Sequence, residues 1–526
     1  MTDDHQPATP QPEQSIERFP GDGPPPLSFD QEGRLLLEWW LNRRRESYMP
    51  PHIRLGLGFS GPLDVGALEA ALNSIIERHD VLRTAFLGTL DARPIKTAPP
   101  IGRVDRSGKP PEEATQTARR GRICAPALTQ LIHARASLTL EMEHLEHVAP
   151  LARDHEVHRL AAEFEKAPFD YTRPPLMRAV LLTLSGTEHV LLIVINHLIS
   201  DGWSLRVLTR ELGAWYSRFT LGSPPPRDLR VQYGDFAHWQ RARLQGEHLT
   251  QLLSSVSDRY KDVNAIQVYC RDLSFAKSDR GESTFESAFE PGCEALTLGA
   301  VLCRQMREFA RQKRLSMYMV LLAALGTALN HHIGRPRIGV WGQLANRTRP
   351  EFEDLIGWFS TLRLLPFDFT SDPPMMDVLE QARRSVFDAV NNEDLPFVLL
   401  WNALSKDARA AGTSSRLIGQ AHVSFNYLAW SSSEWPDVPG MRAAALRTTA
   451  GDNALRFTAI DDGDRITLLA RYSKDILHDA GVRQLVKDVE TIGANIIERP
   501  KERLSSFHGD SGAAARSARG RTAVGF

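Results

Sequence analysis

A short polar loop between two apolar segments constrains this chain more than any other feature. Residues 190–195 are continuously apolar, which is long enough for a buried strand and too short to cross a membrane. After the polar residues 196–204, apolar residues recur at helical spacing. They are Leu205, Leu208, Leu212, Trp215 and Phe219. The pattern therefore predicts a strand, a loop and a helix in succession.

The loop contains His197, Asp201 and Gly202. His197 is a candidate for proton transfer because imidazole titrates near neutral pH and a strand end is a rigid support. Asp201 can turn back to hold the loop, and Gly202 permits a backbone shape closed to other residues. A histidine beside a buried strand is also often only a satisfied core residue. The loop alone therefore leaves both interpretations open.

Eight segments in chain order resemble the motifs of nonribosomal peptide synthetase condensation domains. The loop resembles the HHxxxDG signature, residues 78–86 resemble RHxxLRTxF, and residues 167–178 resemble PFDL…PLxR. The complete set lies at residues 26–31, 78–86, 167–178, 196–204, 233–240, 347–359, 394–397 and 424–427. The resemblance extends from residue 26 to about residue 480. It implies an α/β (α+β) fold, with two chloramphenicol acetyltransferase-like lobes in a V-shaped pseudo-dimer.

The resemblance implies transfer of an acyl group from a phosphopantetheinyl thioester to an amine or hydroxyl, giving an amide or ester in secondary metabolism. His197, Asp201 and Gly202 then form the catalytic set. His197 accepts a proton or positions the nucleophile, and the Gly202 backbone N–H is a candidate oxyanion donor. Asp201 is expected to form a structural salt bridge, with Arg83 as the favoured partner and Arg347 as the alternative.

Other positions take supporting roles by the same resemblance. The first signature histidine is Asn196 here, which can still donate and accept hydrogen bonds, and Trp239 is expected to pack between the lobes. Thr361 stands where the family often has asparagine. The residues expected to line the substrate channel are Ser204, Thr361, Ser424 and Asn426.

Composition sets the domain boundaries and limits the partners. Residues 1–25 and 505–526 are expected to be disordered, with an N-terminal lobe at 26–222, a Pro-rich hinge at 223–226 and a C-terminal lobe at 228–504. Residues 87–166 are a long insertion, either a neutral surface loop or a lid or docking surface. A net charge of −1 provides no bulk attraction to nucleic acid or anionic membranes.

Four dispersed cysteines and a polar N-terminus predict a cytoplasmic protein without a signal peptide. The adjacent His331 and His332 lack a nearby third ligand, so we expect neither a metal nor a bound cofactor. Substrates are expected on acyl or peptidyl carrier proteins, with a small-molecule acceptor as an option, and the protein is expected to be a monomer.

Three functions remain open. The first is a free-standing condensation enzyme, since the chain has no adenylation or carrier segment. The second is a catalytically inert recruitment module of the same fold, suggested by Asn196. The third is an acyltransferase that forms esters with a free alcohol.

Overall fold

The computed structural model describes ten stretches of the chain. They are residues 16–21, 23–43, 52–89, 127–260, 266–277, 291–391, 395–410, 422–429, 441–443 and 455–507. Within these stretches the chain forms eleven helices and thirteen strands. The protein is therefore a mixed α/β protein, as the sequence predicts.

The first sheet has five strands and carries the polar loop at the end of one of them. In spatial order the strands are β11 (Met441–Ala443), β1 (His52–Ser60), β6 (Glu188–Asn196), β5 (Met177–Ser185) and β4 (Glu141–His144). The apolar run 190–195 lies inside β6, which pairs antiparallel with β1 and β5. Because β6 has a neighbour on each edge and is buried on both faces, it needs apolar residues throughout.

The second sheet has six strands and is built entirely from the second half of the chain. In spatial order they are β7 (Pro291–Thr297), β13 (Ile466–Ser473), β12 (Leu455–Asp461), β10 (Val423–Ala429), β8 (Arg337–Leu344) and β9 (Thr361–Asp368). A separate two-stranded sheet joins β2 (Thr84–Thr89) to β3 (Ala127–Ile132). After β10 in the second sheet, the chain crosses to the first sheet to form β11, and it then returns to the second sheet to form β12.

The helices that cover the sheets include those predicted from apolar spacing. The eleven are α1 (Phe29–Arg43), α2 (Val65–Arg78), α3 (Pro150–Lys166), α4 (Gly202–Leu221), α5 (Tyr233–Arg243), α6 (Gly246–Tyr260), α7 (Ala300–Lys313), α8 (Met317–Ile333), α9 (Met375–Val390), α10 (Phe397–Ala410) and α11 (Asp479–Glu498). α2 begins at Val65, where the Asp64 side chain accepts a hydrogen bond from the Ala67 backbone N–H at 2.9 Å.

The predicted hinge at residues 223–226 does not separate the hydrophobic cores. α5 lies beyond it, yet Tyr233 and Phe236 are buried in the core beneath the first sheet. Phe352 and Phe359, from the second half of the chain, are buried in that same core. The first core is therefore built from both halves of the chain. The Pro-rich segment marks a change in composition and not a boundary in packing.

The tails are shorter than predicted. Ile16 is buried in the first core, and the Phe19 backbone N–H donates to the Asp235 carboxylate at 2.7 Å. At the other end, the Ser505 hydroxyl donates to the Asp372 carboxylate at 2.7 Å. Residues 16–21, 23–25 and 505–507 are therefore ordered, contrary to the prediction, because contacts with distant parts of the chain outweigh their polar composition. Residues 1–15 and 508–526 lie outside the described stretches.

The expected insertion at residues 87–166 is partly regular structure. It supplies β3, β4 and α3, while residues 90–126 lie outside the described stretches. Among the helices in the described part of the chain, none has the length and apolar character needed to span a bilayer.

Candidate active site

His197 lies where β6 ends, in a single 3-10 turn, His197–Ile199, that leads to α4. Two amide side chains hold this turn. The Asn196 side-chain oxygen accepts a hydrogen bond from the Leu198 backbone N–H at 2.8 Å. The Gln31 side chain donates to the Leu198 carbonyl at 3.0 Å. Because buried polar groups are costly to leave unpaired, these bonds fix the backbone that carries the imidazole.

The imidazole of His197 is largely enclosed and is held neutral. Trp358 packs edge-on against it, with ring centroids 5.0 Å apart. Burial lowers the pKa of His197 to about 4, and the positive charges of Arg34 and Arg456 contribute, while Asp201 opposes them. At neutral pH the ring therefore has a lone pair for a hydrogen bond. A base this weak suits positioning a nucleophile better than removing its proton outright.

Asp201 is fully buried, and both of its carboxylate oxygens serve the structure. Oδ1 accepts from the backbone N–H of Ser204 at 2.8 Å, and the Asp201 backbone N–H donates to the Ser204 hydroxyl at 3.2 Å, which closes a capping box on α4. Oδ2 accepts from the backbone N–H groups of Phe359 and Ser360, each at 3.0 Å. The carboxylate therefore ties the loop to residues 357–360, and its role is structural.

Arg83 is not the partner of Asp201, so the favoured pairing was wrong. Arg83 ends a 3-10 turn that begins at Asp80, and it pairs with that nearby carboxylate. Its guanidinium also donates to the carbonyl of His133. The Arg83 guanidinium therefore donates its hydrogen bonds to Asp80 and to the His133 carbonyl, both in the first half of the chain. The alternative, Arg347, is the observed partner, at 3.2 Å from the carboxylate of Asp201.

Arg347 is buried to the same degree as its partner, with a side chain only 2% exposed. It donates to the carbonyl of Leu355 at 2.7 Å and lies over the ring of Phe359, 4.0 Å from the centroid. Burial lowers the pKa of Arg347, and the charge of Asp201 opposes that shift. The pair is therefore a desolvated ion pair in which each charge depends on the other.

Ser204 does not line a channel, contrary to the prediction. Its side chain is fully buried, and its hydroxyl oxygen accepts from the Gly357 backbone N–H at 3.1 Å. The same oxygen lies 2.9 Å from the Gly357 carbonyl. The Ser204 hydroxyl therefore links the first turn of α4 to residues 357–360 by hydrogen bonds.

Gly202 lies close to the end of a neighbouring side chain and does not adopt an unusual backbone conformation. It is the first residue of α4, and its φ does not lie in the left-handed region. A Cβ at this position would lie 2.8 Å from the Leu428 Cδ2 atom of β10. The proposed oxyanion role of its N–H stays a prediction.

Two of the predicted channel residues share the face of β10 that meets the His loop. Ser424, Asn426 and Leu428 alternate along the strand and therefore point to one side. Since Leu428 approaches Gly202, that side faces the loop. Thr361 is different, because it is only 2% exposed and its hydroxyl accepts from the Arg363 guanidinium at 2.7 Å. It therefore does not line a substrate channel, contrary to the prediction.

Trp239 packs against side chains that come from both halves of the chain. Its ring lies edge-on to Phe352 at 5.7 Å and near Phe236 at 6.3 Å. Both phenylalanines belong to the first core, although Phe352 comes from the second half. Trp239 therefore packs on the first core, and its expected place between two lobes stays a prediction.

The His331 and His332 pair is not arranged as a metal site. The two nitrogens of His332 lie 3.1 Å from the Ser274 hydroxyl and 2.9 Å from the Asp488 carboxylate. No cluster of three potential metal ligands occurs in the part of the chain that the structure describes.

Comparison with known proteins identifies the family of the chain. A family model described as the condensation domain matches residues 126–511, which is more than half of the chain. The chain belongs to the condensation-domain family. Chondramide synthase cmdD of Chondromyces crocatus is 28% identical over 452 residues, and a linear gramicidin synthase of Brevibacillus parabrevis is 30% identical over 382 residues. These alignments cover 85% and 72% of this chain.

The chain spans only 10% and 7% of the length of those two synthases. Solved structures share its fold. The X-domain in complex with OxyB from teicoplanin biosynthesis has a TM-score of 0.67 at 23% identity, with 95% of this chain and 98% of that chain covered. The condensation domain of the monacolin K polyketide synthase MokA has a TM-score of 0.69 at 16% identity, with 92% and 99% covered. The predicted fold class is therefore confirmed.

Within this condensation domain, the structure adds residues that motif reasoning missed. Trp358 packs on the imidazole, and Gln31 holds the turn that carries it. Tyr171 and Glu38 form a buried hydrogen bond next to Asn196. Trp358 and Tyr171 lie inside or beside recognised motifs, so they could have been named as candidates. Their contacts with the His loop depend on tertiary structure.

Proposed function

We propose that this condensation domain transfers an acyl group from a carrier-protein phosphopantetheinyl thioester to an amine acceptor, forming an amide. The observation that carries the proposal is the neutral imidazole of His197, fixed at the end of β6 beside Trp358. The partner would be an acyl or peptidyl carrier protein. We propose that the protein acts in the cytoplasm as a monomer and needs no cofactor beyond the carrier's own arm.

The chemistry requires an amine nitrogen to approach the thioester carbonyl carbon. The C–N bond forms, the C–S bond breaks, and the proton lost by nitrogen ends on the departing thiolate. Holding the two reactants in line supplies several kcal/mol of the barrier reduction. His197 would accept a hydrogen bond from the attacking amine and orient its lone pair.

The low pKa of His197 favours an amine over a hydroxyl. A neutral amine is already nucleophilic and needs only orientation, whereas an alcohol needs its proton removed as it attacks. An imidazole with a pKa of about 4 is a poor base for that removal. Ester formation with a free alcohol is therefore the second candidate.

The rate of amide formation should be insensitive to protonation of His197 between pH 6 and 8. Because the pKa of His197 in the folded protein is about 4, the ring gains a proton only near that value. Turnover at saturating acceptor should fall only as the pH drops through about 4, since the protonated ring cannot accept a hydrogen bond. A kcat profile from pH 3.5 to 8, at constant ionic strength, measures this. A midpoint near 6.5 would contradict the burial of the ring.

Incubation with a synthetic acyl-carrier thioester and a panel of matched amines and alcohols tests the proposed function. Intact-protein mass spectrometry follows loss of the acyl group from the carrier, and chromatography identifies the product. We expect amide products, with each amine preferred over the alcohol of the same skeleton. Faster turnover of the alcohols would instead support the ester-forming function.

A further inference from the structure

One face of α1 is directed at the His loop. Gln31, Arg34 and Glu38 are spaced by three and four residues, so they lie on the same side of the helix. Gln31 donates to the carbonyl of Leu198, in the turn that carries the imidazole. The positive charge of Arg34 acts on His197 itself. This helix therefore contacts the loop through Gln31 and acts on the imidazole through the charge of Arg34.

Glu38 connects that stripe to the loop through two side chains. Its Oε1 accepts from the Arg34 Nε at 2.7 Å, and its Oε2 accepts from the Tyr171 hydroxyl at 2.7 Å. The Tyr171 oxygen in turn lies 3.3 Å from the Asn196 side-chain nitrogen. Glu38 is 5% exposed, and Tyr171 and Asn196 are each 2% exposed. The chain of contacts is therefore shielded from water.

The donor and acceptor groups of Glu38, Tyr171 and Asn196 determine the direction of each hydrogen bond between them. The carboxylate of Glu38, paired with Arg34, can only accept, so the Tyr171 hydroxyl must give its proton to it. The Tyr171 oxygen can then only accept from Asn196, which turns the NH₂ of the amide toward Tyr171. The amide oxygen is thereby left to accept from the Leu198 N–H. If the Asn196 amide were flipped, its NH₂ would face the Leu198 backbone N–H, and two donors would meet without an acceptor.

Positions 171 and 196 both depart from the motifs that this chain otherwise follows. The PFDL motif has leucine where this chain has Tyr171, and the HHxxxDG signature has histidine where it has Asn196. The two replacements contact each other. A leucine at 171 would leave the Asn196 NH₂ buried without this acceptor, which is costly.

We propose that Tyr171 and Glu38 are positioning residues for His197 that act through Asn196, and that Tyr171 and Asn196 are an energetically coupled pair. The proposal rests on the proposed catalytic role of His197 only for its kinetic consequence. Its structural consequence, a fixed imidazole beside Arg34, can be measured without any substrate.

The substrate-free experiment is a ¹³C–¹H NMR titration of histidine-labelled protein, with the His197 signal identified by its loss in His197→Gln. Tyr171→Phe keeps the ring and removes the hydroxyl, and it should shift the His197 signal. The matched control is Tyr472→Phe. Tyr472 is also 2% exposed and donates to a carboxylate at 2.7 Å, but it lies in the core that packs on the second sheet. An unchanged His197 signal in folded Tyr171→Phe would overturn the proposal.

Arg34 supplies a second substrate-free test. Arg34→Gln removes a positive charge near the ring, so the pKa of His197 should rise above about 4, by a small step because burial, the main cause of the low pKa, is unchanged. Arg34→Lys keeps the charge and should leave the pKa low. A His197 titration that is identical in wild type and Arg34→Gln would show that the α1 stripe does not act on the ring.

The kinetic test is a double-mutant cycle of Tyr171→Phe and Asn196→Ala. We expect each single variant to lower kcat by about tenfold with little change in KM, because orientation and not binding is lost. If the pair is coupled, the double variant should be about as active as the weaker single variant. Losses that multiply, with melting temperatures unchanged, would overturn the coupling. An inactive wild type with the expected titrations would contradict the proposed function and leave the positioning intact.

Discussion

His197→Ala is expected to lower turnover by about a hundredfold or more, the usual scale for a positioned acid–base group. The imidazole is the only titratable side chain on the 3-10 turn between β6 and α4, and its backbone is fixed by Asn196 and Gln31. The measurement is the initial rate of acyl loss from the carrier, read by intact-protein mass spectrometry. Asn196→Ala should cost much less, because it disturbs the turn without removing the ring.

The matched control is His144→Ala, since the His144 side chain is 64% exposed on the edge strand β4. It should retain the wild-type rate. Equal rates for wild type and folded His197→Ala would refute the catalytic assignment. That result would favour the recruitment function, in which the domain binds a partner protein and performs no chemistry.

Deleting either partner of the Asp201–Arg347 pair should lower the free energy of unfolding by roughly 3–5 kcal/mol, because the remaining charge is left buried. Their side chains are 0% and 2% exposed, so water cannot replace the lost partner. Asp201→Ala also removes the acceptor for the Phe359 and Ser360 N–H groups. The loss should appear in thermal or urea melts as a lower midpoint or as insoluble protein, before any assay of activity.

Arg83→Ala is the control for this pair. Its ion pair with Asp80 is partly exposed, at 12% and 29%, so its removal should cost only about 1 kcal/mol. His197→Ala removes no ion pair and should melt close to wild type. A soluble Asp201→Ala protein with unaltered melting and no activity would instead place Asp201 in the chemistry.

The elements that the sequence predicted well are those set by local periodicity. The continuous apolar run became β6, and the helical spacing from Leu205 onward became α4. Asp64 caps α2 in the same local way, because an N-cap acts on a backbone group only three residues away. Each of these predictions depends on residues close together in the chain.

The predictions that failed depend on contacts between distant segments. Ser204 was expected in a channel but is enclosed by residues 357–360, which lie some 150 positions later. The hinge was placed at 223–226 by composition, yet the first core continues through α5 and takes Phe352 and Phe359 from the second half. Composition cannot reveal which half of the chain supplies a core residue.

Sequence alone located the His loop and predicted the order of strand, loop and helix around it, and the family resemblance implied an ion pair for Asp201. It favoured Arg83 over Arg347 as the partner, although both lie in motifs and both carry the same charge, and that choice was wrong. Tertiary structure decided: Arg83 is held by Asp80 three residues away, whereas Arg347 is brought 3.2 Å from Asp201 across 146 positions. A buried charge takes the partner that the fold places within reach, and sequence distance does not limit that choice.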